Sequence, residues 1–86
     1  MLELEAFEDE SKFKVGYKEC LKALKEGIVK TLIIARNADQ FVLRKPIELA
    51  NISEIDVEYV DTKERLGKIC KIDVGAAIAV IIDHSK

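Results

Sequence analysis

Two uninterrupted runs of apolar residues constrain the fold of this chain more than any other feature. Residues 31–35 (TLIIA) and 75–82 (GAAIAVII) contain no charged side chain. A strand with one solvated face alternates apolar and polar residues, whereas a continuous apolar run is typical of a strand that is covered on both faces. The sequence therefore predicts two central strands with helices on either side of their sheet.

Two shorter segments predict further strands. Residues 13–15 form a short β-like run, and residues 55–60 alternate with a period of two. This alternation places Ile55, Val57 and Tyr59 on one face of the second segment. Because its other face begins with acidic residues, we expect this strand to lie nearer the edge of the sheet than the two apolar strands.

Two helices are predicted between the first three strands. The first covers residues 17–26 and ends where Gly27 adopts a left-handed conformation. The second begins at about residue 39 or 40 and extends to about residue 50. Proline in a helix interior clashes with the preceding turn, so Pro46 predicts either a later start of this helix or a kink.

A third helix is predicted after Asp61 or Thr62, either of which can cap its first turn. Leu66 and Cys70 are expected on its buried side. Gly67, inside this helix, costs roughly 1 kcal/mol relative to alanine, which indicates close approach by another element or by a ligand. The alternating order of elements predicts an α/β fold, a three-layer α/β/α sandwich with a central mixed sheet of about four strands.

The composition is that of a small globular protein. The chain has 86 residues, of which 49% are hydrophobic and 35% charged, and this length predicts a single domain over residues 1–86 with a modest core. A run of about 18 apolar residues is absent and the N-terminus is acidic. We therefore expect no membrane span and no signal peptide, a cytoplasmic location and, without an obvious exposed apolar stripe, a monomer.

Charge is distributed unevenly along the chain. The net charge of −2, taken alone, argues against nucleic-acid binding. However, the first ten residues hold five acids and no bases, and the rest of the chain holds fourteen bases against eleven acids. Residues 1–12 are thus predicted to be an acidic N-terminal arm or a short helix on a mildly basic domain. The sequence leaves open whether this arm repels an anionic ligand or lies away from it.

The sequence motifs typical of catalysis or metal binding are missing. Cys20 and Cys70 are fifty positions apart without a CxxC motif, and His84 near the C-terminus is the single histidine. Buried free thiols are therefore expected, not a zinc site or a redox pair. The usual dinucleotide, P-loop, zinc-protease and hydrolase motifs are also absent. We expect no enzymatic activity, no catalytic residue, no metal site and no cofactor.

The helix at residues 17–26 is the strongest candidate for ligand binding. It begins after Gly16, and the first N–H groups of a helix lack partners within the helix and lie at the positive end of its dipole. Lys18, Lys22 and Lys25 share one face at spacings of four and three. This pattern predicts an anion-binding helix end, although a solvated lysine face is the simpler interpretation of the segment alone.

Three segments together resemble the L7Ae/L30e family of ribosomal proteins, specifically its short bacterial members that bind kink-turn RNA. The resemblance covers about residues 13–82, and the segments that carry it are 16–23 (GYKECLKA), 32–35 followed by Ala38-Asp39, and 59–68 (YVDTKERLGK) continuing through 72–77 (IDVGAA). It implies recognition of a sharply bent RNA with tandem sheared G·A pairs. Ribosomal RNA or a structured mRNA leader is the implied partner.

The resemblance implies two RNA-binding surfaces. In the first, the Gly16 backbone approaches the RNA, Lys18 and Glu19 reach base edges of the G·A pairs, and Lys22 contacts a base edge or a phosphate. The second is the loop at residues 71–75, which packs on a nucleotide flipped out of the kink. The residues that form or flank this second surface are Asp39, Leu43, Lys63, Ile72, Asp73, Val74, Gly75 and Ala77.

Several of these residues also have a purely structural interpretation. Ile72 and Val74 suit core packing, Asp39 suits helix capping, and Lys63 suits an exposed surface charge. The alternative function is a ribosome-associated scaffold, in which the acidic arm and the strand at residues 55–60 dock a protein.

Overall fold

The computed structural model describes residues 4–83, which form a four-stranded mixed sheet between layers of helices. The predicted three-layer α/β/α sandwich is confirmed. Two short 3₁₀ helices precede the sheet, Leu4–Glu8 and Glu10–Lys12. His84 lies outside the described residues. In chain order, the strands and helices are β1 (Phe13–Val15), α1 (Tyr17–Glu26), β2 (Val29–Ala35), α2 (Gln40–Ile52), β3 (Asp56–Val60), α3 (Lys63–Ile69) and β4 (Ile78–Ile82).

The strand order explains the two apolar runs. The order is β1-β4-β2-β3, so the two apolar strands, β2 and β4, occupy the centre of the sheet as predicted. β4 runs antiparallel to both β1 and β2, whereas β2 and β3 are parallel. A parallel pair requires a crossover connection, and α2 supplies it. The period-two strand, β3, lies at the edge, which confirms its predicted position.

Two strand boundaries differ from the prediction. β2 begins two residues earlier than the apolar run, because Val29 pairs with Ile82 across a register irregularity. β4 begins at Ile78, and residues 75–77 leave the strand to form a loop. The N–H group of Ala76 in this loop donates to the carbonyl of Lys63, 3.0 Å away, instead of continuing the ladder of the sheet.

The core lies around the two central strands. Residues 31–35 of β2 and 78–81 of β4 are all buried, and α1 adds Cys20, Ala23 and Leu24. α1 packs against α2 and β4, whereas α3 packs against β3 and β4. Within residues 4–83, no helix has the length and apolar character needed to cross a membrane.

Helix α2 begins before its proline. Asp39 caps the helix by accepting a hydrogen bond from the N–H group of Phe41 at 2.8 Å, and Pro46 lies inside the helix with its ring buried. The predicted start at residue 39 or 40 is confirmed, and the alternative of a later start is wrong, because the cap at Asp39 stabilises the first turn. Phe41, in the first turn of the helix, is 82% exposed although it is apolar.

Gly67 permits a close approach between α3 and the loop that precedes β4. A methyl group on Gly67 would overlap the carbonyl oxygen of Val74 and lie 3.2 Å from the Cα atom of Gly75. The Gly67 carbonyl also accepts a hydrogen bond from the N–H group of Ile72 at 3.0 Å. The predicted close approach is confirmed, and the approaching element is the chain's own loop.

The two cysteines are free and buried, as predicted. The Cys20 thiol donates to the Lys14 carbonyl at a sulfur–oxygen distance of 3.6 Å. Burial raises the pKa of Cys20 from 9.0 to about 12. Two negative charges add to this increase: that of the Cys70 thiolate, which forms at a lower pH than the Cys20 thiolate, and that of Glu19. Burial also raises the pKa of Cys70 to about 11. Both thiols therefore stay protonated at neutral pH.

These pKa values predict low thiol reactivity and a loss of stability at high pH. The thiolate is the nucleophile, so we expect both cysteines to react slowly with a disulfide reagent at pH 8 until urea unfolds the protein. Because the pKa of each thiol is higher in the folded state than its ordinary value of 9.0, the stabilising effect is complete below pH 9 and decreases as the pH rises toward 11 to 12.

Urea unfolding between pH 8 and 11 measures this effect. The control is the double variant Cys20→Ala and Cys70→Ala, which retains the other groups that titrate in this range. The wild type should lose stability more steeply than the double variant. Equal slopes would show that the thiols are not the source of the loss.

Candidate nucleic-acid interface

Four connecting segments meet at one end of the sheet. β1, β2 and β3 end there, and β4 begins there. The N–H group of Gly16 donates to the carbonyl of Ile78 at 3.2 Å, and that of Ala35 donates to the carbonyl of Ala77 at 3.0 Å. We call this end of the molecule the loop end, and it consists of Gly16 with the first turn of α1, residues 36–39, Thr62-Lys63 and residues 73–77.

The backbone at Gly16 is open to a ligand. Gly16 has φ 97° and ψ 155°, a conformation that residues with a side chain rarely adopt. A Cβ atom built there would have no atom within 4 Å, so the space in front of this backbone is empty of protein. The first hydrogen bond of the helical pattern runs from the N–H group of Cys20 to the carbonyl of Gly16. The N–H groups of residues 17–19 come before it and have no acceptor in the preceding turn of α1. The start of α1 therefore offers donors without a protecting side chain.

The polar side chains of α1 divide between two depressions. Lys18, Lys22 and Lys25 are exposed and line a shallow depression of about 400 Å³. Glu19, also exposed, lines a larger cavity of about 600 Å³ together with Ile72. The structure thus brings Glu19 of the first predicted surface beside Ile72 of the second, although 53 positions separate them in the sequence.

The loop at residues 73–77 is held by the start of α3. The Lys63 carbonyl accepts from the N–H group of Ala76, and a Cβ atom on Gly75 would lie 3.2 Å from the Cβ atom of Lys63. Asp73, Val74 and Gly75 remain exposed, with Val74 at 71%. An apolar side chain at the tip of a fixed loop is suited to packing against a planar apolar ligand.

Three residues predicted for the second surface, Asp39, Leu43 and Ile72, support the fold in this structure. Leu43 is buried in the core, because it lies one turn into α2 on the side that faces the sheet, and it does not reach the surface. Asp39 is exposed and caps α2. Ile72 is half-buried against the core, in contrast to Val74, for which the core-packing alternative is wrong.

Sequence reasoning missed two contributors to the loop end. The side-chain oxygen of Asn37 accepts a hydrogen bond from the Lys63 N–H group at 2.8 Å and so joins the turn after β2 to the start of α3. The guanidinium group of Arg36 lies over the ring of Tyr59, 4.9 Å from its centroid. The partners are 26 and 23 positions apart, and no local pattern relates them.

The acidic arm lies beside the candidate interface. Glu8 forms an ion pair with Lys71, with 2.9 Å between the carboxylate oxygen and Nζ. Glu8 and Glu10 also line the 600 Å³ cavity that Glu19 and Ile72 share. Of the two alternatives for the arm, the structure thus favours the one in which its negative charges lie close to the candidate site.

The comparison with known proteins identifies the family. Residues 2–86 match the Ribosomal protein L7Ae/L30e/S12e/Gadd45 family. The chain belongs to this family. The membership predicted from the three sequence segments is confirmed. In this L7Ae/L30e-family protein, the residues that carried the resemblance include three of the four loop-end segments in full and half of the fourth, residues 36–39.

Bacterial relatives and a solved structure agree with this membership. The L7Ae/L30e-family chain is 44% identical over 68 residues to an RNA-binding protein of Geobacillus sp. (strain WCH70). The aligned region covers 79% of this chain and 83% of the relative. It is 41% identical over 71 residues to the RNA-binding protein YbxF of Geobacillus stearothermophilus. This alignment covers 83% of the chain and 87% of YbxF. The 15.5kD RNA binding protein of Giardia lamblia superposes with a TM-score of 0.80 at 26% identity, covering 94% of this chain and 68% of that one.

Proposed function

We propose that this L7Ae/L30e-family protein binds kink-turn RNA and stabilises its bent form without catalysing a reaction. The observation that carries the proposal is the juxtaposition at the loop end: an unprotected, glycine-opened helix start lies beside a fixed loop with an exposed apolar tip. A kink-turn offers a matching pair of features, sheared G·A pairs next to a flipped-out nucleotide. Ribosomal RNA or a structured mRNA leader is the proposed partner, bound by a cytoplasmic monomer.

The first turns of α1 supply the contacts to the G·A pairs in this proposal. The Glu19 carboxylate accepts hydrogen bonds from guanine amino or imino groups, and the ammonium groups of Lys18 and Lys22 donate to guanine acceptors and phosphates. Sheared pairs expose base edges that the deep, narrow groove of A-form RNA hides. The glycine at position 16 lets the RNA approach the backbone because no side chain separates them.

The 73–77 loop supplies the contact to the flipped nucleotide. In this proposal an unstacked base packs on the exposed apolar side chain of Val74, and Lys63, at the base of the loop, contacts the adjoining phosphate. Ile72 and Glu19 line one cavity of about 600 Å³, so the two proposed surfaces adjoin there. Leu43 has no direct contact in this proposal, since it supports α2 from the core.

Binding of both features favours the bent RNA over its extended form. A ligand shifts a conformational equilibrium only by its difference in affinity for the two states. The two contacts lie on one rigid end of the sheet, so an extended RNA engages them one at a time and the bent RNA engages both. This difference in affinity is the source of the stabilisation.

A gel-shift titration with two RNAs tests the proposal. One RNA contains the kink-turn, and the other differs only in lacking the G·A pairs. We expect the protein to bind the kink-turn RNA more tightly. Equal binding to both RNAs would contradict recognition of the kink-turn. Absence of binding to either RNA would contradict RNA binding altogether and favour the scaffold alternative. That alternative predicts that a protein partner still co-purifies with this protein after nuclease treatment.

A further inference from the structure

The cation–π pair of Arg36 and Tyr59 lies at the loop end but outside both surfaces described above. The guanidinium carbon is 4.9 Å from the ring centroid, and both side chains are exposed, Tyr59 at 51%. The backbone of Arg36 is fixed by its N–H group, which donates to the carbonyl of Val60 at 2.8 Å. The pair therefore spans the ends of β2 and the edge strand β3.

Stacking orients the arginine for an anion. A guanidinium group that lies over an aromatic ring keeps the N–H donors of its edge free, and its planar fork matches the oxygens of a phosphate. The ring also limits the conformations of a long side chain, so less entropy is lost on binding. Arg36 is thus preorganised for a bidentate contact, whereas an isolated exposed arginine is not.

The neighbours of Arg36 connect this pair to the candidate interface. The next residue, Asn37, accepts from the N–H group of Lys63, whose carbonyl in turn holds the loop that carries Val74. Arg36 and Lys63 therefore flank one turn. Arg36 is thus one residue away from the contact that joins this turn to Lys63.

We propose that Arg36 binds a phosphate of the RNA backbone and that Tyr59 is the positioning residue that holds its guanidinium group. This inference rests on the proposed function and extends its interface toward the edge of the sheet at β3. The contact contributes affinity, since a phosphate contact carries no base sequence.

Salt-dependent RNA titrations of variants test the inference. Arg36→Ala should weaken binding of kink-turn and control RNA by about tenfold each and reduce the slope of log affinity against log salt by about one. Arg36→Lys should retain the slope but not the full affinity, because it keeps the charge and loses the fork. Tyr59→Phe should bind like the wild type, and Tyr59→Ala should lose part of the affinity.

Two comparisons separate the role of Tyr59 from a direct contact and from a general charge effect. In the Arg36→Ala background, Tyr59→Ala should cause no further loss of affinity. Lys68→Ala, which removes an exposed cation from the last turn of α3, is the control and should leave affinity nearly unchanged. A further loss in the double variant would contradict the positioning role.

The outcomes distinguish this inference from the proposed function. If the wild type prefers the kink-turn RNA and Arg36→Ala binds as tightly with an unchanged salt slope, the phosphate contact is wrong and the proposed function stands. A loss confined to the kink-turn RNA without a change in slope would also overturn it, because that pattern indicates a base contact. A wild type that binds neither RNA contradicts the proposed function and the phosphate contact together.

Discussion

Replacing Glu19 with glutamine is expected to reduce the discrimination between kink-turn and control RNA by about 10- to 100-fold. This range corresponds to the roughly 1–3 kcal/mol that a base-edge contact contributes to specificity. Glutamine keeps the size of the side chain but replaces one acceptor oxygen with an NH₂ group, which meets the guanine donors unfavourably. Glu19 is exposed and lies in the first turn of α1, so the substitution leaves the core untouched. Parallel titrations of the two RNAs measure the effect.

Helix α1 supplies matched controls for this experiment. Glu26→Gln removes the same charge at the opposite end of the helix and should leave the discrimination unchanged. Lys25→Ala, in the last turn, should weaken both RNAs about equally and lower the salt dependence, as expected for a phosphate contact. Unchanged discrimination in Glu19→Gln, or loss of discrimination in Lys25→Ala, would show that the assigned roles are wrong.

Replacing Gly67 with alanine is expected to lower the free energy of unfolding by about 2 kcal/mol. The added methyl group overlaps the Val74 carbonyl, which is backbone and cannot turn aside like a side chain, so the cost lies at the upper end of the about 1–3 kcal/mol that is typical of overpacking. The higher helix propensity of alanine, worth roughly 1 kcal/mol, offsets part of this cost. Because the neighbouring atoms belong to the backbone of residues 74–75, the variant should also displace the loop and weaken RNA binding. Urea unfolding and RNA titration of the same preparation measure both effects.

Lys68→Ala is the control for Gly67→Ala, since it changes an exposed neighbour on the same helix and should alter stability by only a few tenths of a kcal/mol. A stability gain of about 1 kcal/mol in Gly67→Ala would mean that the higher helix propensity of alanine alone determines the change. The loop would then move aside at no cost in free energy. That result would remove the support for a rigid second surface.

The parts of the structure that the sequence predicted well depend on local chemistry. Continuous apolar runs specified the central strands, because each run had to be covered on both faces. Gly27 ends α1 with φ 71°, as its position after the last helical residue indicated. Gly67 indicated a close approach, because a glycine inside a helix is unfavourable unless something lies against it.

The parts that escaped prediction depend on contacts between distant segments. Pro46 left open a later start or a kink of α2, and the sequence did not show that the cap at Asp39 stabilises a first turn that the proline does not disturb. Leu43 and Val74 are both apolar residues that the resemblance assigned to the second surface, yet one is buried and the other exposed, and only the course of the chain around α2 and α3 decides which. The contacts of Asn37 with Lys63 and of Arg36 with Tyr59 arise from the same convergence of segments.

The distance between the two arms of the RNA tests the central claim most directly. That claim is that two contacts on one end of the sheet stabilise the bent RNA. A kink-turn with a fluorescent donor on one arm and an acceptor on the other reports this distance by energy transfer, in buffer where the free RNA is largely extended. Titration with the protein should increase energy transfer to saturation for the kink-turn, with little change for the RNA that lacks the G·A pairs. Saturable binding to the kink-turn without an increase in energy transfer would contradict the proposal.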